Sequence, residues 1–304
     1  MKGTGLLFLC FLSGICLGNT FNDSSLLIRP HFKFGETKTY LVTEEMKAGE
    51  LLPAKSTSLF RVSFSVLDTT GGFTIAYTVK LLKTTNTRLV LSSVVARISD
   101  NIQFIYKVGK DGWVTHLVND FDVQKKLIMS LDSLVKQENY QGNDMILMYH
   151  LLKGLIKKDG VAICLAPLML FNNIFRQAEF RRSKDFTAGH GMSILNERKL
   201  PGVLITQLKS IRREENYAKV KLDFKANRDS SAEKFIPAFQ EIYISLMGKP
   251  FKTADLPKEM RRDDFESEYE IMLEEGWPRK ISDRTVQFYL DRFATKMTMI
   301  LVDE

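Results

Sequence analysis

The chain has 304 residues, of which 44% are hydrophobic, 26% charged and 11% aromatic, with 18 glycines and 8 prolines. These proportions exclude disordered, collagen-like and low-complexity architectures, and a mean hydropathy of -0.11 excludes a multi-span membrane protein. With 43 Lys and Arg against 36 Asp and Glu, the net charge of +7 is too mild and too dispersed for a nucleic-acid-binding chain.

Met1-Lys2-Gly3 precedes an apolar run from Leu6 to Leu12 and small residues between Ser13 and Gly18. A positive start, a short apolar region and a small-residue cut site read as a secretory signal peptide over residues 1–18. The run is about half of the roughly 20 residues that a membrane-crossing helix needs, so no transmembrane segment is expected after cleavage. Cys10 and Cys16 leave with the leader, and Cys164 alone cannot form an internal disulfide. Animal secretions usually carry disulfides, so the expected location is the periplasm or cell envelope of a bacterium. Leu12-Ser13-Gly14-Ile15-Cys16 approximates a lipoprotein box, but Ile15 is bulky where a small residue belongs, and lipid anchoring at Cys16 is not favoured.

A first strand is predicted over Glu36 to Met46. Phe60, Val62, Phe64 and Val66 then alternate with polar residues, and so do Phe73, Ile75, Tyr77, Val79 and Leu81, with Gly71-Gly72 as the turn between them. Another strand is predicted near Leu89 to Ile98. Ile102 to Val108 and Trp113 to Val118 flank Gly109-Lys110-Asp111-Gly112 as a hairpin. Asn119 and Asp120 are placed to cap a helix whose apolar face carries Phe121, Leu127, Ile128, Leu131, Leu134 and Val135. Helices follow over Asn143 to Lys158 and, deeply apolar, over Val161 to Phe175. Gly189-His190-Gly191-Met192-Ser193 reads as a glycine-rich loop.

Strands return at Leu200 to Ile211 and Ala218 to Lys225, then a helix from Ser230 through Met247 and a connector from Lys249 to Pro257. Phe265 to Leu273, Arg279 to Leu290 and Phe293 to Val302 close the chain as three strands, with Glu266, Glu268 and Glu270 on a wet face. Nine or ten strands with helices gathered in insertions at about 119–178 and 230–248 argue for one α+β domain over residues 19–304. The expected form is a long-stranded, curved antiparallel sheet, a half barrel, wrapped around the inserted helices.

The leader, the opening Phe34-Gly35-Glu36-Thr37-Lys38-Thr39-Tyr40, the long strands, the helical insertion and the closing Gly276-Trp277-Pro278 hairpin together resemble a group of uncharacterised exported proteins from Bacteroidota. Those proteins are similar in turn to the lipoprotein-carrier fold, a half barrel around helices. The resemblance implies an apolar cavity that holds acyl chains.

The residues themselves present no catalytic set. His31, His116, His150 and His190 lack metal-site spacing, there is no Gly-x-Ser-x-Gly elbow or phosphate loop, and Cys164 lies in an apolar run where a thiolate is poorly solvated. No metal, cofactor or catalytic residue is therefore expected, and the chain is read as non-enzymatic. The leading expectation is an exported protein that binds an apolar or amphiphilic, lipid-like small molecule between sheet and helices. Phe60, Phe64, Phe73, Ile75, Tyr77, Met297 and Met299 are its candidate ligand-lining residues. The alternative is a structural or interaction subunit of a bacterial envelope assembly, with other envelope proteins as partners.

Overall fold

Strands whose side chains alternate wet and dry can align their dry sides only if they pair in register, and eleven of them do so here in one antiparallel sheet. The computed structural model describes residues 20–48 (without 23), 54–86, 91–110, 114–137, 179–192, 199–226, 264–288 and 292–302. It also describes 149–150, 152–154, 156–157, 171 and 174–176. The expected leader, Cys164, most of the helices expected over 143–175, and the helix and connector expected over 230–257 lie outside these residues.

In chain order the elements are β1 (Thr20–Phe21), β2 (Ser25–Leu27), β3 (Thr37–Ala48), β4 (Ala54–Asp68), β5 (Phe73–Asn86), α1 (Leu91–Ile98), β6 (Gln103–Val108) and β7 (Val114–Leu117). Next come α2 (Asp120–Gln137), β8 (Phe180–Arg181), β9 (Asp185–Met192), β10 (Lys199–Arg212) and β11 (Tyr217–Ala226). β12 (Asp264–Met272), β13 (Pro278–Phe288) and β14 (Arg292–Val302) complete the chain. The large sheet runs β7-β6-β5-β4-β3-β14-β13-β12-β11-β10-β9 and is not closed, while β1, β2 and β8 form a small sheet of their own. Two meanders, β3 to β7 and β9 to β14, are thus joined where β14 pairs with β3, with Tyr40 opposite Leu301 and Val42 opposite Met299.

The dry face follows from this register. Phe60, Val42, Met299, Ile281, Tyr269 and Val220 are successive cross-strand partners from β4 to β11, and all are buried. Above this row lies an aromatic cluster. Phe64 stacks on Phe171 at 4.5 Å, Trp277 lies 4.5 Å from Phe32 and 5.3 Å from Phe171, and the Tyr40 hydroxyl donates to the Pro278 carbonyl at 2.8 Å. Gly276 adopts a φ of 75°, a conformation that costs a side-chain-bearing residue energy, and so turns the chain tightly enough to bring Trp277 inward. α1 packs on β4, β5 and α2, and α2 packs on β6. No described helix is long and apolar enough to cross a membrane.

Three expectations are corrected. The segment expected as a strand over Leu89 to Ile98 is helical from Leu91. Past Thr78, the β5 edge is occupied instead by Asp100, whose carboxylate accepts from the Leu81 N–H at 2.7 Å, and by Asn101, whose N–H donates to the Val79 carbonyl at 2.8 Å. Asn101 holds a left-handed φ of 60° in the turn that follows the helix.

In α2 the buried stripe is Val123, Leu127, Leu131 and Leu134, with Phe121 left 79% exposed. Two residues turn a helix by about 200°, so Phe121 falls opposite Val123. The Asn119 main-chain carbonyl receives the Val123 N–H at 3.0 Å, whereas its side chain bonds Ile105 N–H and the Gln103 carbonyl, extending the β6 ladder instead of capping.

The glycine-rich "loop" is the edge strand β9, in which Gly189 lies opposite Gly202 and His190 opposite Pro201. Gly202 is required by packing. A Cβ there would meet the Phe224 ring at 2.5 Å.

Chemical denaturation should separate these roles. Trp277→Ala is expected to cost about 3–5 kcal/mol of unfolding free energy. Phe121→Ala is expected to stay within about 0.5 kcal/mol, as for an exposed side chain.

Candidate functional site

The inner face is not uniform along the strands. Of the candidate lining residues, Phe64, Ile75, Tyr77 and Met299 are fully enclosed, and Phe73 is half-buried with its ring 5.0 Å from Phe32. These five belong to the sealed half of the face. Phe60 and Met297 lie at its lower boundary, where the next row of partners changes chemistry.

That next row reads Thr84, Ser58, Glu44, Met297, Asp283, Ser267, Leu222 and Thr206 across β5, β4, β3, β14, β13, β12, β11 and β10. It is a polar belt on an otherwise apolar face. Ser58 and Thr84 share a hydroxyl bond of 3.1 Å. The Ser267 and Thr285 hydroxyls donate to opposite oxygens of Asp283, at 2.5 and 2.7 Å. Glu44 has no hydrogen-bond or ion-pair partner among the described residues, and two interstrand spacings, roughly 10 Å, separate it from Asp283. Below the belt, Met46, Thr295, Thr285, Phe265 and Leu204 are half-buried, while Ser56 and Phe224 in the same row are sealed.

Burial governs the electrostatics of the belt. Removal from water disfavours the charged form of Glu44 and pushes its carboxyl up to about 7. Burial also raises Asp283, against the opposing pull of the Ser267 and Thr285 hydroxyls. The opposite face is conventional. Glu266 and Glu268 are exposed, Lys221 meets Glu266 at 2.6 Å, and Glu270 meets Lys219 at 3.0 Å and Arg279 at 2.9 Å.

Elsewhere, Asp132 on α2 accepts from the Tyr149 hydroxyl at 2.6 Å and from Lys153 at 3.0 Å, and Lys153 also contacts the Tyr149 hydroxyl. This knot ties α2 to the following helical segment at the surface. No group of three metal-ligating side chains occurs among the described residues.

Sequence reasoning missed Glu44 because it stopped at the apolar members of each strand. The signal was present in strand parity, since Glu44 lies two residues beyond Val42 and four beyond Tyr40 and so shares their face.

A carboxyl whose pKa is higher in the folded state than in the unfolded chain binds its proton more tightly when folded. The contribution of Glu44 is therefore full below pH 4.5, its ordinary value, and lost as pH rises through 7. Urea titrations across this range should show stability falling by on the order of 2–3 kcal/mol from this group. Glu44→Gln should flatten the slope, leaving a residue from Asp283.

No family model matches the chain, and no curated protein does. Among solved structures, one titled for lipid–protein interactions in lipovitellin aligns over 90% of this chain at 8% identity, with a TM-score of 0.42. The aligned part is 25% of that protein's chain, so the present chain spans about a quarter of its length. A likeness this slight assigns neither a family nor a ligand.

Proposed function

We propose that the chain is an exported, non-enzymatic binding protein that holds an apolar or amphiphilic ligand between the inner face of a half-barrel sheet and its inserted helices. The observation that carries this reading is the division of the inner face. The upper rows are largely closed by aromatic packing, while Glu44, Met46, Phe265 and Leu204 stay half-buried beside sealed Ser56 and Phe224. A face built only to pack would seal along its whole length.

Curvature has its own support. Trp277, at the start of β13, lies 6.5 Å from Phe64 on β4. Three interstrand spacings, about 14 Å, separate those strands in a flat sheet, so the rings meet by inward bending and leaning. The ring of Phe171 on Phe64 supports helical chain over the concave side. In this reading Phe60 and Met297 touch the ligand, and Phe64, Phe73, Ile75, Tyr77 and Met299 form the wall behind them.

A specific observation favours the second reading, a subunit of an envelope assembly. Leu41 and Ile300 are direct cross-strand partners exposed together on the outer face. A chain that runs only as a free monomer in native mass spectra of envelope extracts removes this alternative.

The binding reading is tested on delipidated protein with the hydrophobic dye N-phenyl-1-naphthylamine. Saturable uptake with micromolar affinity is expected. Met297→Trp, which fills the boundary, should weaken uptake about fivefold or more, and Leu41→Trp on the other face should not change it. Absence of saturable uptake by the unaltered protein refutes the reading.

A further inference from the structure

We propose that Glu44 reads the polar end of the bound molecule, and that the molecule it selects is a cationic amphiphile with an amine at the head of an alkyl chain. The inference rests on the binding reading above and adds the chemical class of the ligand.

The geometry isolates Glu44. Its neighbours on the same face are Ser58 on β4 and Met297 on β14, with Thr84 and Asp283 one strand further out. Ser58 is engaged with Thr84, and both Asp283 oxygens already accept hydroxyl bonds. The charged groups on this face of the described strands do not help. Asp283, and Asp185 at the far end of the same row, have the same sign as Glu44. Lys38 lies about 20 Å up β3, six residues away, and is paired with Glu275 at 2.6 Å. Glu44 is half-buried, and with no counter-charge beside it partial desolvation disfavours its ionised form. The described strands offer no cation at this position, so the occupant supplies it.

The surroundings specify the rest of the molecule. Met297 and Phe60, both nearly sealed, lie beside Glu44 on the same face, and half-buried Met46, two residues along β3, offers apolar surface to a chain. An anionic head would face two carboxyls, whereas an alcohol gains a hydrogen bond without the charge. Because Glu44 ionises near 7, preference for the amine should strengthen above neutrality.

The test is displacement of N-phenyl-1-naphthylamine by dodecylamine, dodecanol and laurate, each below its micelle concentration, at pH 8.5 and 5.5. At pH 8.5 dodecylamine should bind about tenfold more tightly than dodecanol, with laurate weakest, the difference expected of one charge-assisted hydrogen bond. At pH 5.5 the gap should shrink to about twofold. The near-isosteric Glu44→Gln, checked for a native melting transition, should remove the gap at both pH values, and so should Glu44→Leu if the glutamine variant melts abnormally. Dodecanol and dodecylamine binding equally to the unaltered protein, or an amine preference that survives in these variants, overturns the assignment to Glu44 while leaving the binding reading intact. Failure of the dye and all three alkyl compounds to bind removes both.

Discussion

The pairing of β14 with β3 is the constraint on which the rest depends. Thr39 to Ala48 lie opposite Val302 to Phe293, so the first and last strands of the large sheet in chain order meet at its middle. Without this seam there are two separate meanders, each with one dry face and nothing to share it. With it, every cross-strand row continues from β5 to β10, and Glu44 acquires Met297 and Asp283 as neighbours. Contacts so distant in sequence are the slowest to form, because chain entropy is lost before the reward arrives. The aromatic cluster spans the same seam, since Tyr40 reaches the Pro278 carbonyl and Trp277 reaches Phe64 across it.

The topology also accounts for the placement of helical chain. The polypeptide leaves the large sheet at β7, on one edge, and re-enters at β9, on the other. The intervening segment, which includes α2 and Phe171, must cross a width of about ten interstrand spacings. Val123, Leu127 and Leu131 of α2 and Phe171 share one hydrophobic core with the inner-face residues of the sheet, so this crossing contributes to burying the dry face. On the wet face, Lys219 and Lys221, then Glu266 and Glu270, then Arg279, alternate in sign from strand to strand. Exposed pairs of this kind add little stability, but opposite charges across a ladder penalise slipped registers.

Where strands were long and strictly alternating, their place and inner side were legible from the residues alone. β4, β5, β11 and the three closing strands lie close to where their period-two pattern puts them. The misreadings share a cause. Leu89 to Ile98 is rich in β-branched residues, and only Asp100 and Asn101, which occupy the β5 edge, reveal why the chain coils there. β9 looked like a loop because its glycines signal turns in isolation, while in the sheet Gly189 and Gly191 pair in register with Gly202 and Leu200. Phe121 was assigned inward by its hydrophobicity, although helical phase turns it outward. The inner-face apolar rows were legible in the same way. The polar belt was not, because its members become one feature only when eight strands are set in register.

The two rims of the sheet differ, and the difference bears on how copies of the chain meet. β7 is four residues long, with Thr115 and His116 exposed, and offers little main chain to a newcomer. β9 presents eight residues and pairs only with β10 among the described residues. Fibre growth requires a template at each end of every added unit, whereas one available rim joined to its twin gives a two-fold pair that cannot propagate. The asymmetry thus limits ordered stacking at high local concentration, and among the described residues no helix covers the second rim.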